Sequence, residues 1–220
     1  MGRIFLLSPA QCGGLRAEQL LSPRATSPLA RQLQSRAGAT IGEVFTYLSA
    51  LYFRGKLTYA RAFARPPDAI APAGGVLVIT PAAGLLPVDA PLDAAGLRAF
   101  GRTEIELTNP AYRQPLEASA RTLRELASGC EVVLLGSIAT PKYVEPLLAV
   151  FGADLFFPPA FVGRGDMSRG GLCLRCAREG VELEYAPVAG AVRTGPRPPR
   201  LPKRPRPIDE IVPPMGDRGR

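Results

Sequence analysis

Histidine is absent from all 220 residues, and that absence excludes more than any other feature of the chain. Without imidazole there is no Ser-His-Asp or Cys-His nucleophile, and most zinc enzymes are excluded as well. Cysteine is scarce: Cys12, Cys130, Cys173 and Cys176 are all there are. No apolar run approaches the ~20 residues that cross a bilayer, so no membrane partner is expected. The opening MGRIFLLSPAQC turns polar after a short apolar stretch and reads as a first strand, not a leader. Leu6 also stands where a myristoylation signal needs Ser or Thr. Without a leader, reduced thiols in a cytoplasmic protein are the expectation. Carboxylates at a fixed catalytic spacing are missing too, and no cofactor or metal is implied.

Positive charge is present but unevenly placed. The net charge is +8, yet residues 193–220 hold eight of the 27 basic and three of the 19 acidic residues. That segment, RTGPRPPRLPKRPRPIDEIVPPMGDRGR, is too rich in Pro and Arg to build a core and is expected to be an extended, flexible tail. Its charge would serve either solubility or non-specific, salt-sensitive phosphate affinity. Residues 1–192 are then one domain.

Within that domain, apolar runs alternate with helical periodicity. Strands are expected at residues 3–7, 76–80, Cys130–Leu135 and Leu155–Phe157. Two short helices, punctuated by Pro23 and Pro28, fill residues 15–36. Thr40 and Glu43 form a capping box that starts a helix to about Phe53; Gly55 ends it, and a further helix runs from Lys56 to Ala64. Residues 90–110 read as irregular, with a short strand at Glu104–Leu107. Tyr112–Ala127 is helical with Pro115 in its first turn, and Thr140-Pro141 opens a helix to Phe151. LCLRCAREGVELEY alternates apolar and polar residues around Glu179-Gly180, a hairpin pattern. On such a strand Cys173 and Cys176 point to opposite faces and cannot share a metal. The expected class is α/β: a partly parallel mixed sheet flanked by helices and ended by an antiparallel hairpin.

Four strand-exit loops have a common composition: residues 8–12 (SPAQC), 80–89 (TPAAGLLPVD), 136–143 (GSIATPKY) and 163–169 (GRGDMSR). In open α/β sheets ligands bind beyond the carboxyl ends of the parallel strands, so these loops are expected to share a cleft. Ser8, Gln11, Ser137, Lys142, Tyr143, Arg164 and Arg169 are the candidate nucleic-acid or anion-binding residues, suited to a phosphate or a base. The Gly-rich stretch Phe161–Gly171 carries both arginines, whose planar forks read phosphate or carboxylate. Asp89 and Asp166 are the candidate acid/base groups. Cys12, beside the cleft, is the one thiol placed to respond to oxidant, if its pKa were lowered.

In the same order along the chain, five segments resemble the YaaA family of peroxide-stress proteins: IFLLSPAQ (Ile4–Gln11), GEVFTYLSALYF (Gly42–Phe53), VITPAAGLLPVD (Val78–Asp89), VVLLGSIATPKY (Val132–Tyr143) and GRGDMSR (Gly163–Arg169). The resemblance implies a cytoplasmic α/β protein that binds DNA and limits damage from peroxide and free iron. It also implies a helix after Gly163–Arg169, where the residues themselves read as a hairpin. Gln11 stands where the family has Lys, an Arg is missing beside Leu86-Pro87, and the chain is shorter between residues 12 and 42. Two functions follow. One is a non-enzymatic DNA-binding stress protein, with Arg164 and Arg169 on phosphates. The other is an enzyme acting on a nucleotide or modified nucleobase, with Asp89 or Asp166 as acid/base and the arginines as an anion clamp. An adaptor whose loops only cap the fold is the third alternative.

Overall fold

The computed structural model describes residues 2–199 and 201. Strand β1 (Arg3–Leu7) is followed by two short helices, α1 (Leu15–Leu21) and α2 (Pro28–Gln34). Next come a two-residue strand β2 (Ala39–Thr40) and the long helix α3 (Ile41–Phe63). Strands β3 (Val76–Ile79), β4 (Leu85–Pro87) and β5 (Pro91–Leu92) lead to helices α4 (Ala94–Arg102) and α5 (Pro110–Leu126). The chain continues with β6 (Glu131–Leu135), α6 (Pro141–Phe151), β7 (Leu155–Phe157), α7 (Asp166–Glu179) and β8 (Ala186–Pro187).

Six strands form one mixed sheet in the order β4-β3-β1-β6-β7-β8. β1, β3, β6 and β7 run parallel, and each edge is closed by an antiparallel strand. The expected class, a partly parallel mixed sheet flanked by helices, is therefore what the chain adopts. Alternation along the strands sorts the side chains into two cores. Phe5, Leu7, Val78 and Leu135 pack with α1 to α4 and α7. Ile4, Leu6, Ile79 and Leu134 pack with α5 and α6. Covering both faces is what lets strands such as RIFLL be continuously apolar.

The chain steps from β1 to β3 on one side, then returns past β1 to place β6 on the other. The crossovers diverge between β1 and β6, so a crevice opens at their carboxyl ends, the usual ligand position of doubly wound sheets.

Several local expectations are corrected. Leu172–Tyr185 is not a hairpin: residues to Glu179 continue α7, and Gly180 (φ 66°) closes it in a left-handed cap. The alternation of LCLRC fits a strand over five residues, but Arg169, Cys173 and Cys176 at i, i+4, i+7 form the buried stripe that wins. Cys173 and Cys176 thus lie on one helical face. Residues 94–102 are helical, capped by Asp93, whose carboxylate accepts from the Gly96 N–H at 2.7 Å. No strand forms at Glu104–Leu107, and Pro115 lies inside α5, beyond its first turn.

A further correction concerns α3. The two helical segments expected there are present, but the break between them falls at Ala50, whose φ of 44° and ψ of −120° are non-helical, and not at Gly55. An alanine held there stores strain of order 1–3 kcal/mol, and α3 continues to Phe63. Gly55 instead lets two helices touch: a Cβ there would overlap the Gly170 carbonyl, and one on Gly170 would lie 2.6 Å from the Leu51 oxygen. Of the tail expected over residues 193–220, residues 193–199 and 201 form no regular element and the rest lies outside the described residues.

Gly170→Ala is expected to force α3 and α7 apart and lower stability by about 1–3 kcal/mol, the usual cost of overpacking. Urea unfolding of the variant against wild type reads this directly, and an unchanged midpoint would contradict the crossing.

Candidate functional site

A cleft of about 860 Å³ opens at the carboxyl edge of the sheet. All four exit loops reach it: Pro9 and Gln11 after β1, Pro81 after β3, Lys142 and Tyr143 at the start of α6, and Asp166 at the start of α7. Ser49 and Tyr52, on either side of the α3 bend, form part of its wall, and the segment after α4 adds Glu104 and Glu106. The lining therefore holds three carboxylates and one lysine, against the cation-rich surface the loop sequences suggested. Thr80 is folded into its own turn, accepting from the Ala83 N–H and donating to the Gly84 carbonyl.

The remaining candidate residues divide. Arg169 is buried, its Nε donating to the Phe161 carbonyl at 3.1 Å, with Nη1 3.3 Å from Asp166 and Nη2 3.5 Å from the Ser137 hydroxyl. It fixes the Asp166 carboxylate at the cleft mouth and braces the β6 exit loop. Arg164 is spent elsewhere, on the Ala160 carbonyl at 2.8 Å, the Ser168 hydroxyl and the Pro199 carbonyl. Asp89 is not brought to the site; it lies exposed in an ion pair with Arg61 at 2.6 Å. Cys12 lines the cleft, but burial pushes its thiol up to about 12, so it carries no thiolate at neutral pH.

Beneath the floor lies the group that the sequence reading missed. Ser8, Lys56, Thr80 and Arg169 are the buried polar or charged residues of the described chain, and all but Thr80 belong to one cluster. Lys56 is wholly buried at the α3–α7 contact. Its Nζ lies 2.8 Å from the Ser8 carbonyl and 2.7 Å from the Ser8 hydroxyl, and 4.1 Å from the centre of the Tyr52 ring. None of the ion pairs among the described residues includes it. Burial without a carboxylate partner disfavours the ammonium and brings Lys56 down to about 7, only partly opposed by Cys173 and Asp166, while Arg169 pushes the same way as burial. Burial also pushes the Tyr52 phenol up to about 12, as does the charge of Asp166, only partly opposed by the neighbouring Ser8 and Arg169.

The site thus pairs a half-neutral amine and a serine hydroxyl under the floor with an acid-rich cleft above. Such an arrangement can move protons near neutral pH without histidine. Its sequence signal was the stripe Leu48, Tyr52, Lys56 and Phe63 on α3, which puts a lysine among core positions. Among the described residues no group of three or more His, Cys, Asp or Glu side chains could hold a metal ion. No helix there is long and apolar enough to cross a membrane. No family model, no curated protein and no solved structure matches the chain.

Lys56 makes stability depend on pH. In the folded chain it loses its proton near 7; unfolded, it keeps it to about 10.5. Between those values the unfolded state holds the extra proton, so stability rises with pH, and below 7, with both states protonated, the gain is absent. Between pH 6.5 and 8.5 wild type should gain about 2 kcal/mol relative to Lys56→Met. Urea unfolding of both proteins at the two pH values checks this, and parallel pH profiles would contradict it.

Proposed function

We propose that the chain is an enzyme acting on a nucleoside or modified nucleobase, bound in the cleft at the carboxyl ends of β1 and β6, where the crossovers part. The observation that carries this reading is the convergence of all four strand-exit loops on one acid-rich, aromatic-walled cleft above a buried amine. Glu104, Glu106 and Asp166 can accept the N–H donors of a base edge. Tyr52, Tyr143 and Phe100 offer ring surface for the base itself. Among the described residues Lys142 is the one cation in the lining, enough for a single phosphate and too little for a polyphosphate. Asp166, oriented by Arg169, is the acid/base group at the cleft mouth, and Arg169 acts through it, not as a free anion clamp.

A second reading, a DNA-binding peroxide-stress protein, is supported by one specific observation. The helix that the YaaA resemblance implies after Gly163–Arg169 is α7. In that case duplex affinity would come from exposed arginines and the basic tail, would be insensitive to sequence, and would fall steeply with salt.

The two readings part in one calorimetric experiment. Adenosine, cytidine and their monophosphates, and a short duplex, are titrated into residues 1–220 across a salt series. The enzyme reading expects a nucleoside to bind in the sub-millimolar range, with a salt-insensitive affinity. Lys142→Ala should then weaken the monophosphate by roughly tenfold, about 1.4 kcal/mol, while leaving the nucleoside unchanged. Duplex binding lost with salt and unaltered by Lys142→Ala, with no nucleoside bound, would overturn the enzyme reading in favour of the second.

A further inference from the structure

The Ser8–Lys56 contact has the geometry of a nucleophile and its base. Ser8 is the first residue beyond β1, at the point where the crossovers diverge, and its neighbour Pro9 already belongs to the cleft wall. A neutral lysine amine has two N–H donors and one lone pair. As an ammonium, Nζ donates to the Ser8 carbonyl at 2.8 Å and to the Ser8 hydroxyl at 2.7 Å; once neutral, it keeps an N–H for the carbonyl and its lone pair can accept the Ser8 proton across the same 2.7 Å. The charged or titratable groups that act on Lys56 are Asp166, Arg169 and Cys173, all on α7. The other neighbours are the rings of Tyr52 and Phe53 on its own helix. Activation of a serine by an unprotonated lysine is a known substitute for histidine, and this chain has no histidine.

We propose that Ser8 is a nucleophile and Lys56 its general base, attacking a carbonyl-type carbon: an ester, an amide, or the ring carbonyl or amidine carbon of a nucleobase. The Ser8 proton passes to Lys56 Nζ as the Oγ–C bond forms and the π electron pair moves to the substrate's oxygen or nitrogen. That pair then returns, the leaving group departs with the proton from Lys56, and water deprotonated by the same amine releases the bound group. Tyr52, which neighbours Ser8 and lines the cleft, is the residue that must yield for substrate to reach the hydroxyl. The choice among these carbons rests on the nucleobase reading above; the dyad itself does not.

The test uses diisopropyl fluorophosphate, which reports an activated serine: an Oγ–P bond forms, fluoride leaves, and the Ser8 proton goes to the amine. The full chain, Ser8→Ala, Lys56→Met and Tyr52→Ala are incubated with the reagent between pH 6 and 9, and adducts are weighed and mapped by mass spectrometry. Wild type should gain one adduct on Ser8, with a rate that rises through pH 7 and levels off. Lys56→Met should slow labelling by about 100-fold or more, the scale of general-base catalysis. Tyr52→Ala, which opens the floor above Ser8, should label faster, and Ser8→Ala should not label. If Ser8 is unlabelled in both wild type and Tyr52→Ala, or labels equally fast in Lys56→Met, the proposal is wrong. Labelling without nucleoside binding would sink the nucleobase reading alone, and nucleoside binding without labelling would sink the dyad alone.

Discussion

A lysine amine buried without a carboxylate partner is the constraint on which the carboxyl edge of this sheet depends. An isolated ammonium in an apolar interior is costly enough that the group gives up its proton instead. Here the amine is held by the two oxygens of Ser8 and the faces of Tyr52 and Phe53. Sealing it requires α3 and α7 to meet at backbone distance, which is why Gly55 and Gly170 face each other. Placing Tyr52 above it requires α3 to change direction, and the bend falls at Ala50, two residues earlier, in a conformation alanine adopts only under constraint. Strain, close helix contact and a desolvated amine thus coincide at one spot.

The same edge carries the topological reason for a ligand. The crossovers part there, between β1 and β6, so the cleft does not have to be carved from the core. Its walls come from loops already tied down by other means: Arg169 braces the Ser137 and Asp166 loops together, and the Tyr112 hydroxyl holds the Lys142 carbonyl at 3.0 Å. The basic balance of the whole chain is no guide to this cleft, whose lining is locally acidic.

Much of the frame was legible because its signals are local. The Thr40–Glu43 capping box, the Pro28 and Pro141 helix starts and the apolar runs of β1 and β6 each announce themselves within a few residues. The losses share one cause. LCLRC alternates over too short a window to separate a strand from a helix, so α7 read as a hairpin. Without α7 there is nothing for Gly55 to touch, and it read as a stop. With α3 cut there, Lys56 became the first residue of a new helix instead of a core residue four positions after Tyr52. Asp166, Lys142, Tyr143 and Gln11 were found from strand-exit composition alone, since that pattern follows topology. Arg164 and Asp89 share the composition without sharing the place, because side-chain direction in loops is set by partners distant in sequence.

The protonation state of Lys56 decides the matter most directly. The chain has three lysines, Lys56, Lys142 and Lys203, so the ε-carbon resonances of a lysine-labelled sample can be assigned by single substitutions and followed with pH. The Lys56 resonance is expected to titrate near 7. A Lys56 resonance that stays that of an ammonium up to pH 10 would show the amine to be a structural cation, and the central claim of a buried base would be wrong.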